Sequence, residues 1–212
     1  IKNYTKRVHL IYTSSMSVYG GDEPMPKRED SPLDGKNFYA IGKKASESYL
    51  SLCSSREIKT TSLRLFNIYG PGQAPIFVIS KSIHQALNSK SPLIYDNGKQ
   101  TRCFTYVDDA IEGVLIASRS QNSISQVINI GTDLETSMDD VIQLIIKKTN
   151  ENLEPVIFDT SKSYGELYED IPRRIPAINK ARKLLNWEAK TKLEKGIELT
   201  IKWAKNNRWW LK

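Results

Sequence analysis

The stretch that decides the fold is VHLIYTSS, residues 8–15. Residues 8–12 are largely apolar, and Thr13, Ser14 and Ser15 end the run with three hydroxyl groups. A short apolar run of this kind is typical of a strand that is buried on both faces of a parallel sheet. Because open α/β sheets place their ligand sites at the carboxyl ends of the strands, we expect Ser14 and Ser15 to lie at a site.

A second pattern, Tyr39-Ala-Ile-Gly-Lys43, lies on a helix predicted over about residues 38–54. Residues four apart on a helix share one face, so Tyr39 and Lys43 are neighbours there. An ammonium group stabilises a nearby phenolate, and such a tyrosine can act as a general acid/base for a hydroxyl proton. We therefore predict that Tyr39 and Lys43 are catalytic residues.

The rest of the chain alternates between strand and helix patterns, which indicates the α/β class with a parallel sheet. Helices are predicted over residues 76–88, 108–118, 179–185 and 193–205, besides the one at 38–54. The predicted strands are Val8–Thr13, Thr60–Leu65, Arg102–Val107 and Val127–Ile130.

Composition excludes several classes of protein. Of the 212 residues, 39% are hydrophobic and 26% are charged, as in ordinary globular proteins, and no stretch is apolar enough to span a membrane. Two cysteines and two isolated histidines, His9 and His84, give no disulfide framework and no metal site, which favours the cytoplasm. The net charge of +7 is spread along the chain, so a solvated basic surface is favoured over a nucleic-acid partner.

Five ordered segments resemble the extended short-chain dehydrogenase/reductases, and more narrowly the NAD-dependent nucleotide-sugar epimerase/dehydratase family. They are IYTSSMSVYG (11–20), YAIGK (39–43), LRLFNIYGPG (63–72), GKQTRCFTYVDDAIEG (98–113) and INIG (128–131). The resemblance implies NAD as the cofactor and a nucleotide sugar as the substrate. It also implies part of a Rossmann-like NAD-binding domain and a smaller α/β substrate-binding lobe. The expected boundaries are 1–72 with 108–131 for the domain, and 73–107 with 132–212 for the lobe.

The resemblance also assigns roles around the cofactor. It implies that Ser15 is a third catalytic residue, which bonds the sugar hydroxyl that is oxidised, while Tyr39 takes the proton of that hydroxyl. Lys43 bonds the nicotinamide ribose, and Ser14, Tyr39 and Phe66 also contact the cofactor.

Three further residues are assigned to the substrate by the same resemblance. Asn67 in LFN would contact the substrate diphosphate, and Arg102 in QTRCF would grip a phosphate, which arginine does with two parallel hydrogen bonds. In the segment 164–178 the arginine before x-Pro would enter the substrate site. Arg174 fits that position, and Arg173 is the neighbour against which it is weighed.

Met16 and Ser17, which follow Ser15, bear on the reaction. The 4,6-dehydratases of the family carry Asp-Glu there, and the decarboxylases carry a glutamate at the second position. Methionine cannot transfer a proton and serine is a poor acid, so the pattern favours a 4-epimerase of a UDP-sugar that works through a 4-keto intermediate. The alternatives are a decarboxylase or reductase of the same superfamily, or a non-catalytic remnant that binds a nucleotide sugar or a partner.

The glycine-rich G-x-x-G-x-x-G turn with which the family begins is absent from these 212 residues. We therefore expect the chain to be a C-terminal portion of such an enzyme. The apolar strand Val8–Thr13 would then pair with the missing N-terminal half or lie in a homodimer.

Overall fold

A computed structural model describes residues 8–20, 24–54, 57–160 and 172–212. The helices are α1 (Phe38–Cys53), α2 (Val78–Leu87), α3 (Val107–Arg119), α4 (Met138–Thr149), α5 (Asn179–Leu185) and α6 (Leu193–Asn206). The strands are β1 (Val8–Ser15), β2 (Ile58–Leu65), β3 (Ile68–Tyr69), β4 (Leu93–Tyr95), β5 (Thr101–Cys103), β6 (Thr105–Tyr106), β7 (Gln126–Ile130), β8 (Glu135–Ser137), β9 (Val156–Phe158) and β10 (Arg173–Arg174). This is the α/β, Rossmann-like class that the sequence predicts.

The chain divides into two compact units. The first unit comprises Ile1–Asn67, Asp108–Asp133 and Ile175–Ala189. The second unit comprises Ile68–Val107, Leu134–Arg174 and Lys190–Lys212.

A parallel sheet of three strands, in the order β1-β2-β7, forms the first unit. The central strand β2 is the most buried, with residues 60–64 all buried, whereas most of β1 at the edge is half-buried. Helix α3 packs against Trp187, whose indole Nε1 donates to the Asp109 carbonyl at 3.1 Å. Gly113 permits this approach, because a Cβ at that position would come within 3.0 Å of the Trp187 ring.

The second unit is built from amphipathic helices and small sheets. Helices α2, α4 and α6 point their apolar faces into one core, which includes Ile83, Ile145 and Ile197. The strands β3 and β6 pair with each other, as do β4 and β9, and a third sheet has the order β10-β5-β8. Gly196 lies against Tyr69, and no side chain larger than hydrogen would fit between them.

The compact units differ from the boundaries expected from the sequence by the two residues 132 and 133, which lie in the first unit, and in two larger places. The segment 175–189 lies in the first unit, because the backbone of Lys27 exchanges hydrogen bonds with Ile175 and Ala177. Residues 68–72 lie in the second unit, because β3 pairs with β6. The roles assigned to the two parts remain predictions.

Within the described residues, no helix has the length and apolar character needed to cross a membrane. The same part of the chain contains no group of His, Cys, Asp and Glu that could hold a metal ion.

Candidate active site

The serines of the first segment lie where β1 ends. Ser15 is the last residue of the strand and caps the short 3-10 turn Met16–Tyr19. Its Oγ accepts from the Ser17 amide at 3.2 Å and donates to the Ser17 hydroxyl at 3.2 Å. The Ser15 side chain is only 9% exposed, so these local bonds fix the direction of its hydroxyl group.

Helix α1 brings the tyrosine and the lysine to this end of the strand. Asn37 begins the helix, and its side chain accepts from the Ala40 amide at 2.9 Å, as an N-cap residue does. Tyr39 therefore lies in the first turn and Lys43 one turn later. The Lys43 ammonium donates to the Thr13 carbonyl at 2.7 Å, which ties the helix to the end of β1.

The Lys43 ammonium also lies near two aromatic rings. Its Nζ is 5.7 Å from the centre of the Tyr39 ring and 4.9 Å from that of Tyr12, distances at which a cation is attracted to the ring face. The Tyr39 side chain is 57% exposed, so its hydroxyl is open to a ligand. The structure thus holds Lys43, and with it the Tyr39 ring, near the end of the strand that carries Ser15. That these residues move a hydroxyl proton stays a prediction.

The other predicted residues of the first unit are placed differently. Phe66 is 1% exposed and packs with Val18 and Tyr19, so its contact with a cofactor stays a prediction. Asn67 has a φ of 38°, a left-handed conformation that asparagine tolerates better than most residues. Its contact with a substrate diphosphate also stays a prediction.

A buried polar network that sequence reasoning missed lies beneath this site. Arg64 on β2 and Glu47 on α1 form two hydrogen bonds, of 3.0 and 2.7 Å, with side chains 3% and 7% exposed. The Arg64 guanidinium lies 4.7 Å from the Tyr19 ring centre, and Tyr19 donates to Asn129 at 2.6 Å. The signal in the sequence was a charged residue, Arg64, in the middle of the apolar run SLRLF.

Ionisation of Tyr19 is expected to lower the stability of the fold at alkaline pH. Burial raises the pKa of Tyr19 from 10.0 to about 12, against the opposing charge of Arg64. The folded state therefore holds this proton more tightly than the unfolded state, so the contribution to stability is complete below pH 10.0 and is lost as the pH rises through about 12. We expect the free energy of unfolding to fall by about 2–3 kcal/mol over this window.

Denaturant unfolding of the parent and Tyr19→Phe at several alkaline pH values measures this effect. The substitution removes the titrating hydroxyl and leaves the ring, so the variant should start less stable by about 1 kcal/mol but lose less stability as the pH rises. If the unfolding free energy of both proteins fell equally with rising pH, a group other than Tyr19 would cause the loss of stability.

Two arginines predicted to bind the substrate lie side by side in the second unit. Arg102 on β5 and Arg174 on β10 occupy paired positions of neighbouring parallel strands, so their side chains share one face of that small sheet. Arg173 instead forms two hydrogen bonds of 2.8 Å with Glu135 on β8. Arg174, and not Arg173, therefore lies directly beside Arg102. The binding of substrate by Arg102 and Arg174 stays a prediction.

Comparison with known proteins assigns the family. The model for the family described as GDP-mannose 4,6 dehydratase matches residues 1–200. The chain belongs to this family. Its members are NAD-dependent nucleotide-sugar epimerases, dehydratases and decarboxylases.

Among the relatives of the chain in this family is the UDP-N-acetyl-alpha-D-glucosaminuronate decarboxylase of Bacillus cytotoxicus. It is 34% identical over 202 residues, which are 92% of this chain and 63% of that protein. The UDP-glucose 4-epimerase of Thermotoga maritima, solved with UDP-glucose, has a TM-score of 0.85 and 28% identity over 94% of this chain and 64% of its own. The UDP-glucuronic acid 4-epimerase of Bacillus cereus, solved with UDP-glucuronic acid and NAD, has a TM-score of 0.80 and 28% identity over 94% and 62%. The chain thus spans less than two thirds of the length of these relatives.

NAD is the cofactor of this family. One feature of the first unit fits the nicotinamide end of such a cofactor: the Ser14 Oγ is buried and has no hydrogen-bond partner among the described residues. Lys43 supplies ammonium donors at the neighbouring Thr13. Ser14 and Lys43 would therefore hold the cofactor, and when bound it would accept and return a hydride.

Proposed function

We propose that this chain carries the hydroxyl-oxidising site of an NAD-dependent nucleotide-sugar 4-epimerase that acts on a UDP-sugar. The observation that carries the proposal is the placement of Tyr39 and Lys43 on one face of α1, with Lys43 held at the end of β1 beside Ser15. Ser15 would bond the 4-hydroxyl of the sugar, and Tyr39 would take the proton of that hydroxyl. Lys43 would stabilise the phenolate so formed.

The substrate would be held by groups away from the reacting carbon. Arg102 and Arg174 would bind the diphosphate from adjacent strands, and Asn67 would add an amide contact. Arginine binds phosphate with a fixed, bidentate geometry, so the sugar ring could turn over while the diphosphate stays in place. Rotation of the 4-keto sugar and return of the hydride to its other face would then invert C4.

The residues after Ser15 favour epimerisation over elimination. Met16 and Ser17 lack the carboxylates that would protonate a leaving group or remove a second proton. A decarboxylase is the second candidate, because the relative from Bacillus cytotoxicus, at 34% identity, is named as one. A reductase, or a remnant that binds a nucleotide sugar without turnover, is the further alternative.

Product analysis separates these functions. The 212 residues would be joined to the amino-terminal nucleotide-binding segment of the Thermotoga maritima epimerase and incubated with NAD and a panel of UDP-sugars. An epimer of unchanged mass supports the proposal. A product lighter by carbon dioxide or by water identifies a decarboxylase or a dehydratase, and tight binding without turnover identifies a remnant.

We also propose that a second copy of the chain packs against α1. Apolar side chains lie along its exposed face, with Phe38 94%, Ile41 53%, Tyr49 69% and Leu52 87% exposed, and the exposed Ala45 lies between the two pairs. A two-fold dimer brings the same patch of both copies together, so this stripe would pack against its own copy. The outer edge of β1, which has no strand paired to it within the described residues, would receive a strand from the part of the relatives that this chain does not span.

Sedimentation equilibrium tests the dimer. We expect Ile41→Glu with Leu52→Glu to convert a dimer into a monomer, because a charge in the packed stripe must lose its hydration. Leu134→Glu, at a residue 66% exposed in the second unit, is the control and should leave the dimer intact. A parent protein that stays monomeric at high concentration would contradict this contact.

The proposed reaction places the protein in carbohydrate metabolism. Its cysteines, Cys53 and Cys103, form no disulfide, which suits the reducing cytoplasm.

A further inference from the structure

Helix α1 is attached to the sheet by very little apolar packing. Of its 16 residues, only Ala40 and Glu47 are buried, and Phe38 and Leu52 at its two ends are 94% and 87% exposed. Interdigitated apolar side chains can fix the position of a helix, but α1 buries too few of them to do so strongly. The position of Tyr39 and Lys43 must therefore depend on polar contacts.

The most buried of these polar contacts is the pair between Glu47 and Arg64. Glu47 lies four residues after Lys43 and eight after Tyr39, so all three occupy one face of α1. Arg64 Nε and Nη2 donate to the two carboxylate oxygens of Glu47 at 3.0 and 2.7 Å. Two parallel bonds between planar groups fix both the distance and the orientation of the helix at this point.

Arg64 is itself held in place by the neighbouring strands, by a backbone carbonyl and by an aromatic ring. On the sheet it lies in register between Ser14 on β1 and Asn129 on β7. Its Nη1 donates to the Glu29 carbonyl at 3.0 Å, and its guanidinium lies against the Tyr19 ring. Burial would lower the pKa of Arg64, but the bonds to Glu47 and Tyr19 outweigh it, so the pKa lies above its ordinary value and the charge is kept.

We infer that Arg64 and Glu47 are positioning residues that set the register of α1 on β1 and β2. The pair holds Lys43 at the Thr13 carbonyl and so holds Tyr39 at the end of the strand that carries Ser15. The effect on catalysis rests on the proposed function, whereas the register of the helix does not.

The register of α1 on the sheet can be measured from the NMR signals of Lys43 in the 212-residue chain, and this measurement needs no enzymatic activity. The Nζ of Lys43 lies 4.9 and 5.7 Å from the Tyr12 and Tyr39 ring centres, so ring currents shift the NMR signals of its side chain. Arg64→Met with Glu47→Leu replaces the buried pair by apolar groups of similar volume, a change that often preserves stability. It removes the two directional bonds while keeping the interior filled.

We expect the double variant to unfold cooperatively but to show Lys43 side-chain signals moved toward those of a free lysine. The matched control is Arg173→Met with Glu135→Leu, which removes an Arg–Glu pair with two equal bonds of 2.8 Å from the second unit. It should leave the Lys43 signals in place. Unchanged Lys43 signals in a folded Arg64→Met, Glu47→Leu protein would overturn the inference.

Glu47→Asp provides a second test if the double variant fails to fold. It keeps both charges and shortens the link by one methylene, so the Lys43 signals should shift by less, and they should not shift at all if the pair serves stability alone. In the chimera that carries the amino-terminal segment of the Thermotoga maritima epimerase, here called the completed enzyme, Glu47→Asp should lower kcat about 10²-fold with little change in KM. A misplacement of a catalytic group by about 1 Å has an effect of that size.

The two ideas fail separately. A parent without turnover overturns the proposed function while the NMR result still stands. An active parent whose Glu47→Asp variant keeps both its kcat and its Lys43 signals overturns the positioning role.

Discussion

Tyr39→Phe should lower the turnover of the completed enzyme by about 10²–10⁴-fold, the usual contribution of a general acid/base. The phenol of Tyr39 is 57% exposed and lies beside the Lys43 ammonium, which is where the proton of the sugar hydroxyl would go. Phenylalanine keeps the ring and the first turn of α1. KM should therefore change little, since the lost interaction belongs to the transition state. Steady-state kinetics with a UDP-sugar measures both constants.

Tyr49→Phe is the matched control on the same helix. Tyr49 is 69% exposed, lies further along α1 and loses the same single oxygen. The Tyr49 ring, which the proposed dimer would bury, is kept in this variant, so it should keep parental turnover. A Tyr39→Phe enzyme as active as this control would remove Tyr39 from the chemistry and would favour the binding remnant.

The second large effect concerns stability, and we expect Glu47→Ala to cost about 3–5 kcal/mol of unfolding free energy. The substitution leaves the Arg64 guanidinium, which is 3% exposed, without its carboxylate partner. A buried charge that loses its partner suffers the full penalty of desolvation, unlike a pair that is replaced as a unit. Urea unfolding at neutral pH gives the value.

Glu188→Ala is the comparison that isolates burial. Glu188 also pairs with an arginine, Arg182, at 2.9 Å, but the two side chains are 57% and 46% exposed. Its removal should cost about 0–1 kcal/mol, as exposed pairs generally do. If both alanine variants lost equal stability, burial of the Arg64–Glu47 pair would not determine its contribution to the fold.

The first unit was the more predictable from sequence. The apolar run that ends in hydroxyl groups forms strand β1, Val8–Ser15. Tyr39 and Lys43, four residues apart, both lie on helix α1 as expected. These features could be predicted because each depends on residues that lie within one short stretch of the sequence. The Lys43 bond to the Thr13 carbonyl links residues 30 apart, and no local pattern could have shown it.

Contacts between distant residues account for what the sequence missed. Glu47 reads as a solvated helix residue until Arg64, on the next strand, is known to face it. In the same way, only the pairing of β5 with β10 shows that Arg174 neighbours Arg102 while Arg173 binds Glu135. The segment 175–189 joins the first unit through bonds to Lys27, a residue far back in the chain.

The measurement that tests the central claim most directly uses a UDP-sugar carrying deuterium at C4. The completed enzyme with NAD should return a C4 epimer of unchanged mass that still carries the deuterium at C4. Hydride removed from that carbon is returned to its other face while Ser15 and Tyr39 hold and exchange only the hydroxyl proton. A product that has lost carbon dioxide would contradict epimerisation as the function of this site, and an epimer without deuterium at C4 would contradict reversible hydride transfer at that carbon.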